Sequence, residues 1–204
     1  PLRRRLLTAA AILAVVVLVG AIGVIFFAGD DSTTTYEAQT FEHVHGTTTL
    51  TQRPHNVAAI GPGDGDAVLS LGVQPVAIGA QSAQLPSWEQ AAITESPTVL
   101  TGFTDTNAVA ATSPDVIIAT GNVDADTYNK LSAIAPTITR PANATGFWPW
   151  QDQMTWIGRI LGQESAAARL NEEIRSQQED LRNQNRAFSG KTIQAVINTN
   201  DGVA

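Results

Sequence analysis

The chain has 204 residues, which is enough for one sizeable domain or for a small domain with appendages. Its formal net charge of -7 argues against nucleic acid as a partner, because surfaces that bind nucleic acid are basic. Cysteine is absent, which excludes disulfides, zinc–thiolate sites and thiol nucleophiles from this chain.

The N-terminal segment predicts a membrane anchor. Three arginines at 3–5 precede an uncharged, largely apolar run over 6–29, and Asp30 follows at once. A spanning helix needs about 20 apolar residues, whereas the apolar part of a signal peptide has roughly 7–15. The basic flank should stay in the cytoplasm, which places the rest of the chain on the extracytoplasmic face of the cell membrane. Residues 1–29 are therefore assigned to a transmembrane anchor or an uncleaved signal. A long signal peptide that is cleaved is the alternative.

The next segments predict a linker followed by a small α/β lobe. Residues 30–40 are polar and rich in serine and threonine, as in linkers, and 41–50 predict a hairpin with a central glycine. Short apolar runs then alternate with helical patterns, which predicts a parallel sheet covered by helices on both faces. The expected strands are 56–60, 75–79, 98–100, 115–119 and 137–139. The expected helices are 66–71, 87–93, 107–112 and 126–134. The lobe as a whole is assigned to residues 41–150.

Residues 151–189 contain no proline and predict two helices, which Gly162 separates. The longer helix, 164–187, has a thin apolar stripe among many charged residues, which favours a bridge between two domains. A new strand is expected over 191–198. Residues 190–204 would therefore form the beginning of a second lobe, which is incomplete.

The loop Gly61-Pro62-Gly63-Asp64-Gly65-Asp66 looks at first like a nucleotide-binding turn between a strand and a helix. A dinucleotide fingerprint has a third glycine where Asp66 stands, and a phosphate loop needs a Gly-Lys-Ser/Thr sequence. Two aspartates at the mouth of a helix would also repel a phosphate. Nucleotide binding is therefore not expected, and Asp64 or Asp66 is expected to cap the helix.

Several stretches carry motifs that occur together, in this order, in one family. Residues 66–76, DAVLSLGVQPV, are similar to D-x-x-x-x-L-G-V-x-P-V. Residues 113–118, SPDVII, are similar to a P-D-L-I-I strand, and 128–137, YNKLSAIAPT, to Y-x-x-L-x-x-I-A-P-T. Residues 43–57 resemble the family's first hairpin and strand, and 150–162 resemble the start of its long helix. The family is that of substrate-binding proteins of ABC importers with a helical backbone, in particular the iron–siderophore group of actinobacterial type.

The resemblance implies a bilobal α/β binding protein with a small parallel-sheet N-lobe, one long spine helix and a second α/β lobe. It implies a binding protein that delivers a ferric siderophore to an ABC permease. No serine–histidine–acid arrangement, paired-carboxylate motif or cofactor lysine stands out in the sequence, so we expect neither an enzyme nor a cofactor. We expect a membrane-anchored monomer. Haem or cobalamin is the alternative ligand, and a cell-envelope protein without a transport role is the alternative function.

The candidate ligand residues follow from where this family binds its ligands. The carboxyl ends of the strands face the cleft between its lobes, and open α/β sheets bind ligands at that edge. The candidates on this edge are Gly61, Gly63, Asp64, Gln81, Trp88, Asn122 and Trp148. A tight turn without ligand contact is the alternative for the glycine loop. Trp150 is expected to seal the lobe onto the spine instead.

Two further residue types bear on the ligand. His43 and His45 would share one face of a strand, which is metal-ligand spacing, and His55 could complete a trio. We favour no metal site, because metal-binding relatives use the strand ends and these histidines precede or open the first strand. Few cations lie near the predicted edge, with Lys130 and Arg140 the nearest, so the second lobe supplies them or the ligand is less anionic.

Overall fold

The computed structural model describes residues 36–101, 105–144, 148–192, 198–199 and 202–203. All of them belong to one unit that begins at Tyr36. The predicted membrane span lies outside the described residues. Among the helices that are described, none combines the length and the hydrophobicity that a membrane crossing needs.

An antiparallel hairpin opens the described part of the chain. It consists of β1 (Gln39–His43) and β2 (Gly46–Leu50), and Phe41 is fully buried at its centre. The hydroxyl of Tyr36 donates a hydrogen bond to Ile160 O at 3.3 Å. The linker that was expected over 30–40 is therefore too long, because its last residues already pack against the lobe.

Five parallel strands form the central sheet. They are β3 (Val57–Ala59), β4 (Ala77–Ala80), β5 (Thr98–Thr101), β6 (Val116–Ala119) and β7 (Thr137–Thr139). Their spatial order is β5-β4-β3-β6-β7. Every residue of β3 and β6 is buried and apolar, as a sheet covered on both faces requires.

Four short helices connect these strands. They are α1 (Asp64–Ser70), α2 (Ser87–Ala92), α3 (Thr106–Ala111) and α4 (Ala125–Ser132). The predicted α/β alternation is confirmed, and the ends of these five strands and four helices lie within two residues of the predicted ones. Asp105 caps α3 by accepting from Ala108 N at 3.0 Å. Asp124 caps α4 by accepting from Thr127 N at 2.8 Å.

The core lies on both faces of the sheet because successive residues of a strand point in opposite directions. Val57 and Ala59 pack on one face with residues of α1 and of the helix that begins at Trp150. Ala58 packs on the other face in a cluster with Val109 of α3 and Leu131 of α4. The sheet is thus the middle of three layers.

The hairpin covers the edge of the sheet next to β7. Val44 N donates to Arg140 O at 3.1 Å, and Ala142 N donates to Glu42 O at 3.4 Å. The side chain of Thr48 adds a bond to Thr137 O at 2.9 Å. The residues that leave β7 are therefore fastened to the hairpin by backbone and side-chain bonds.

Two longer helices follow the lobe, α5 (Trp150–Ile160) and α6 (Glu164–Gln184). They pack closely where Gly158 faces Ala167, since a Cβ on Gly158 would lie 2.5 Å from the Ala167 Cβ. Gly162 makes the turn between them with a φ of 63°. The long helix predicted to residue 187 ends at Gln184, and a short 3₁₀ helix, Arg186–Phe188, follows it.

The strand expected over 191–198 is only partly within the described residues. Residues 191–192 are not in a strand, which corrects the predicted start. Residues 193–197 lie outside the described part. β8 (Asn198–Thr199) pairs with β9 (Gly202–Val203) in antiparallel orientation.

Candidate functional site

The five parallel strands end on one side of the sheet, which we call the carboxyl edge. It is formed by the described residues that follow the five strands, namely 60–66, 81–89, 105, 120–126, and 140–144 with 148–153. Open α/β sheets bind ligands at this edge, at the point where the strand order reverses. Here the order reverses between β3 and β6.

One buried carboxylate holds the glycine loop in place. Asp64 is 0% exposed, and its Oδ2 accepts from the backbone N–H groups of Gly61 (2.7 Å) and Thr120 (3.0 Å). Its Oδ1 accepts from the Thr120 hydroxyl and from Nε2 of Gln153 (2.9 Å). Nε2 of Gln153 also donates to Pro62 O at 2.9 Å. These bonds join the loops after β3 and β6 to the first turns of α5.

Asp64 is a positioning residue in this arrangement. Burial raises the pKa of Asp64, and the hydrogen bonds from Thr120, Gln153 and Gly61 limit the rise. Because the carboxylate is buried among these donors, it offers no oxygen to a ligand, which corrects the prediction that Asp64 binds one. The capping prediction is also wrong, since the N-cap of α1 is Gly63 and makes no side-chain cap.

The two candidate glycines are required by the loop itself. A Cβ on Gly61 would lie 2.8 Å from the backbone nitrogen of Thr120 and 2.9 Å from that of Gly121. Gly63 has a φ of 76°, a conformation that side chains other than glycine rarely adopt. Their contact with a ligand stays a prediction, because close packing within the lobe already accounts for both.

A pocket of about 280 Å³ opens where the strand order reverses. It is lined by Ile60, Gly61, Pro62, Ala119, Gly121, Asn122, Val123, Asp124 and Thr127. Asn122 is an exposed residue of this lining, which is mostly apolar. Hydrogen bonds from the backbone and hydroxyl of Thr127 lower the pKa of Asp124. The structure therefore brings together two candidates, Gly61 and Asn122.

Trp88 stands exposed beside α1. Its side chain is 65% exposed, and its indole Nε1 donates to Asp66 at 2.9 Å, which fixes the orientation of the ring. Burial raises the pKa of neighbouring Glu89, and the charge of Asp66 raises it further. Gln81 is exposed in the same segment of the carboxyl edge.

The other tryptophans occupy positions that differ from the predicted ones. Trp148 is half-buried and lines a groove of about 390 Å³ together with Pro141, Asn143, Ala144, Asp152, Thr155, Trp156 and Arg159. It is therefore not part of the pocket at Gly61 and Asn122. Trp150 is 39% exposed, which corrects the prediction that it seals the lobe.

Trp156 takes the sealing position instead. Its indole packs edge-on against Phe41 with ring centroids 5.4 Å apart, and its Nε1 donates to Thr139 O at 3.1 Å. The guanidinium of Arg159 lies 4.9 Å from the centre of the Phe41 ring. This cluster joins the hairpin, the end of β7 and α5.

His43 is a structural residue. It is 2% exposed, its Nδ1 lies 3.1 Å from the Thr139 hydroxyl, and its Nε2 lies 3.0 Å from the Thr48 hydroxyl. Because that Thr48 hydroxyl donates to a backbone carbonyl, Nε2 must be the donor and Nδ1 the acceptor. Burial lowers the pKa of His43, and the charge of His45 lowers it further.

His45 and His55 do not join His43 in a ligand set. His45 lies in the hairpin turn, where it stacks on the Tyr128 ring at 4.7 Å and contacts Val123 O at 2.7 Å. The expectation that His43 and His45 share a strand face is therefore wrong. Within the part of the chain that the structure describes, no group of three histidines or carboxylates could hold a metal ion.

Sequence reasoning missed three residues that shape the site. Thr120 and Gln153 bind Asp64, and Thr127 lines the pocket. Thr120 follows β6 directly, which is a usable signal, because residues at strand ends of a parallel sheet meet at one edge. No sequence pattern identifies Gln153, which reaches the loop from the first turns of α5.

The chain belongs to the periplasmic binding protein family, whose model matches residues 57–202. Among solved structures, it is similar to a periplasmic solute binding protein from Mycobacterium smegmatis, with 30% identity and a TM-score of 0.66. That comparison covers 74% of this chain and 56% of the other. No curated protein matches the chain.

Two further solved structures are similar over about the same share of the chain. The iron uptake ABC transporter substrate-binding protein PiaA from Streptococcus pneumoniae is 25% identical, with a TM-score of 0.65 over 75% of this chain and 54% of PiaA. The periplasmic catecholate-siderophore binding protein VctP from Vibrio cholerae is 28% identical, with a TM-score of 0.56 over 75% and 56%. The chain thus spans little more than half the length of these proteins.

Proposed function

We propose that this chain belongs to the extracytoplasmic solute-binding component of an ABC importer, and that this component binds an iron–siderophore complex. The observation that carries the proposal is the pocket between the ends of β3 and β6, lined by Gly61 and Asn122. It lies where the strand order reverses, which is the ligand position of open α/β sheets. Membership of the family and the similarity to PiaA and VctP support the same class of ligand.

The proposed mechanism is binding without chemistry. The described lobe forms one wall of a cleft, a second α/β lobe forms the other, and α6 is the spine between them. Only Ala167 of α6 is buried in the described lobe, which leaves most of this helix free to support another lobe. The loaded protein, a monomer held at the cell membrane by residues 1–29, would present its ligand to the permease.

The wall is suited to a bulky ligand because it is rigid. The four hydrogen bonds of Asp64 fix the loops on both sides of the pocket before a ligand arrives. A wall that is already ordered loses little conformational entropy on binding. Trp88, exposed and oriented by Asp66, offers an aromatic surface at the same edge.

Fluorescence titration of the full-length protein tests the proposal. Ferric siderophores are expected to quench tryptophan emission in a saturable manner, whereas haem and cobalamin are expected to bind weakly. If only haem or cobalamin binds in a saturable manner, that molecule replaces the ferric siderophore as the proposed ligand. If none of the three binds and no permease or ATPase gene lies nearby, a cell-envelope role without transport replaces the proposal.

A pair of asparagine variants tests the pocket itself. Asn122→Ala removes an exposed amide from the pocket and is expected to weaken ferric siderophore binding by about 1 kcal/mol, the value of a typical hydrogen bond. Asn129→Ala is the matched control, because Asn129 is also exposed but lies further along α4, outside the pocket lining. Equal affinities of the two variants would contradict a ligand contact at Asn122.

A further inference from the structure

The carboxyl edge carries little positive charge. Among the described residues of this edge, Arg140 is the one basic residue. The exposed acidic residues on the same edge are Asp66, Asp105, Asp124, Asp126 and Asp152. Lys130, on α4, lies close to this edge, and its Nζ is 3.6 Å from the carboxylate of Asp126. The ligand-facing side of the lobe is therefore acidic.

The helices do not offset this charge. Helices α1 to α5 all begin at the carboxyl edge, where the positive ends of helix dipoles ordinarily favour an anion. Each of the five has a carboxylate at its N-cap or in its first turn. Asp105 and Asp124 accept backbone N–H groups directly. These carboxylates balance the dipole ends that an anionic ligand would otherwise use.

We infer that the ligand is a ferric complex without net negative charge, of the hydroxamate class. The inference rests on the proposed function and specifies its substrate class. Three singly charged hydroxamates balance the charge of ferric iron, whereas three doubly charged catecholates leave the complex strongly anionic. An anionic complex would meet five exposed aspartates and one arginine along this edge, and juxtaposed like charges weaken association and select against that partner.

Titration of the full-length protein with two ferric complexes tests the charge preference. Ferrichrome, a neutral ferric trihydroxamate, is expected to bind at least about tenfold more tightly than a ferric tricatecholate at low salt. Raising the ionic strength to physiological values should narrow the difference, because the Debye length falls to about 8 Å. Equal or tighter binding of the tricatecholate would overturn the inference and leave the proposed function intact.

A charge variant and its control test whether the preference for an uncharged ferric complex arises at the carboxyl edge. Asp105→Asn combined with Asp126→Asn removes two carboxylates, and asparagine is itself a good N-cap for α3. Neither residue lines the pocket. Glu95→Gln combined with Glu179→Gln is the control. Glu95 precedes β5 at the opposite edge of the sheet. Glu179 forms an ion pair with Arg175, just as Asp126 forms one with Lys130.

The two variants have distinct expected outcomes. The edge variant should bind the tricatecholate at least about threefold more tightly than the control variant does, since two like charges are removed. Equal affinities of the edge and control variants would overturn the assignment to the carboxyl edge. If neither ferric complex binds the full-length protein, the proposed function itself fails, and the inference fails with it.

Discussion

Asp64 joins three segments of the chain that are distant in sequence, and its replacement should be costly. Asp64→Asn is expected to lower the free energy of unfolding by about 2 kcal/mol, because the new NH₂ group would face buried donors. Asp66→Asn is the control, since Asp66 is exposed and asparagine keeps an acceptor for the Trp88 indole. Thermal or urea unfolding of both variants measures the effect. Equal stability of the two would contradict the structural role of Asp64.

His43 should make the lobe sensitive to mild acid. The folded protein holds its imidazole in the neutral form, with a pKa below the ordinary 6.5, because the side chain is buried. The unfolded chain therefore binds more protons below pH 6.5, so stability falls as the pH falls through that value. The loss is at most about 1.4 kcal/mol per pH unit. Unfolding measured from about pH 7.5 to about pH 5.5 should show this decline.

Two histidine variants isolate that contribution. His43→Gln is expected to be less stable than the wild type at neutral pH and to show a shallower decline on acidification. His55→Gln, which alters an exposed side chain, should keep the wild-type profile. An identical slope for His43→Gln and the wild type would assign the acid sensitivity to other groups.

At the scale of elements, the contact between α5 and α6 depends on a glycine. Gly158→Ala would bring two Cβ atoms to 2.5 Å and is expected to cost about 1–3 kcal/mol, as overpacking usually does. Adding Ala167→Gly should recover part of this loss, although glycine within a helix itself costs about 1 kcal/mol relative to alanine. A double-mutant cycle by urea unfolding measures the coupling. Strict additivity would show that the two residues do not meet.

The elements of the lobe follow from local sequence, and the site does not. A buried parallel strand appears in the sequence as a short apolar run, as 116–119 does, so its position can be predicted from the sequence. The partners of Asp64 are visible only in the fold, because Gln153 comes from a helix 89 residues further along. The prediction that His43 and His45 share a strand face is wrong because β1 ends at His43 and the turn begins at Val44.

At the scale of the whole molecule, two tryptophans should separate ligand binding from stability. Trp148→Ala is expected to weaken ligand binding by about 1–3 kcal/mol, the loss of a partly buried aromatic contact, with little change in the melting temperature. Trp156→Ala should lower stability by about 3 kcal/mol, because it removes the contact with Phe41 and the bond to Thr139. Affinity and melting are measured for both variants.

Trp150→Ala is the control for this pair, because Trp150 is exposed at the start of α5. It should change stability little. A Trp148→Ala protein that melts early and binds normally would confine the ligand site to the pocket at Asn122 and to Trp88, and would exclude the groove at Trp148. The two grooves would then have different roles, with the one at Trp148 serving only to pack the lobe.

The hairpin also protects the protein from its own copies. An open strand edge offers unpaired N–H and C=O groups to another chain and invites edge-to-edge aggregation. The hydrogen bonds that Val44 and Thr48 donate and that Glu42 O accepts place the hairpin beside β7, where a second molecule would otherwise pair. Since His43 lies within this attachment, acid that loosens the hairpin should first be visible as self-association of folded lobes, before the lobe itself unfolds.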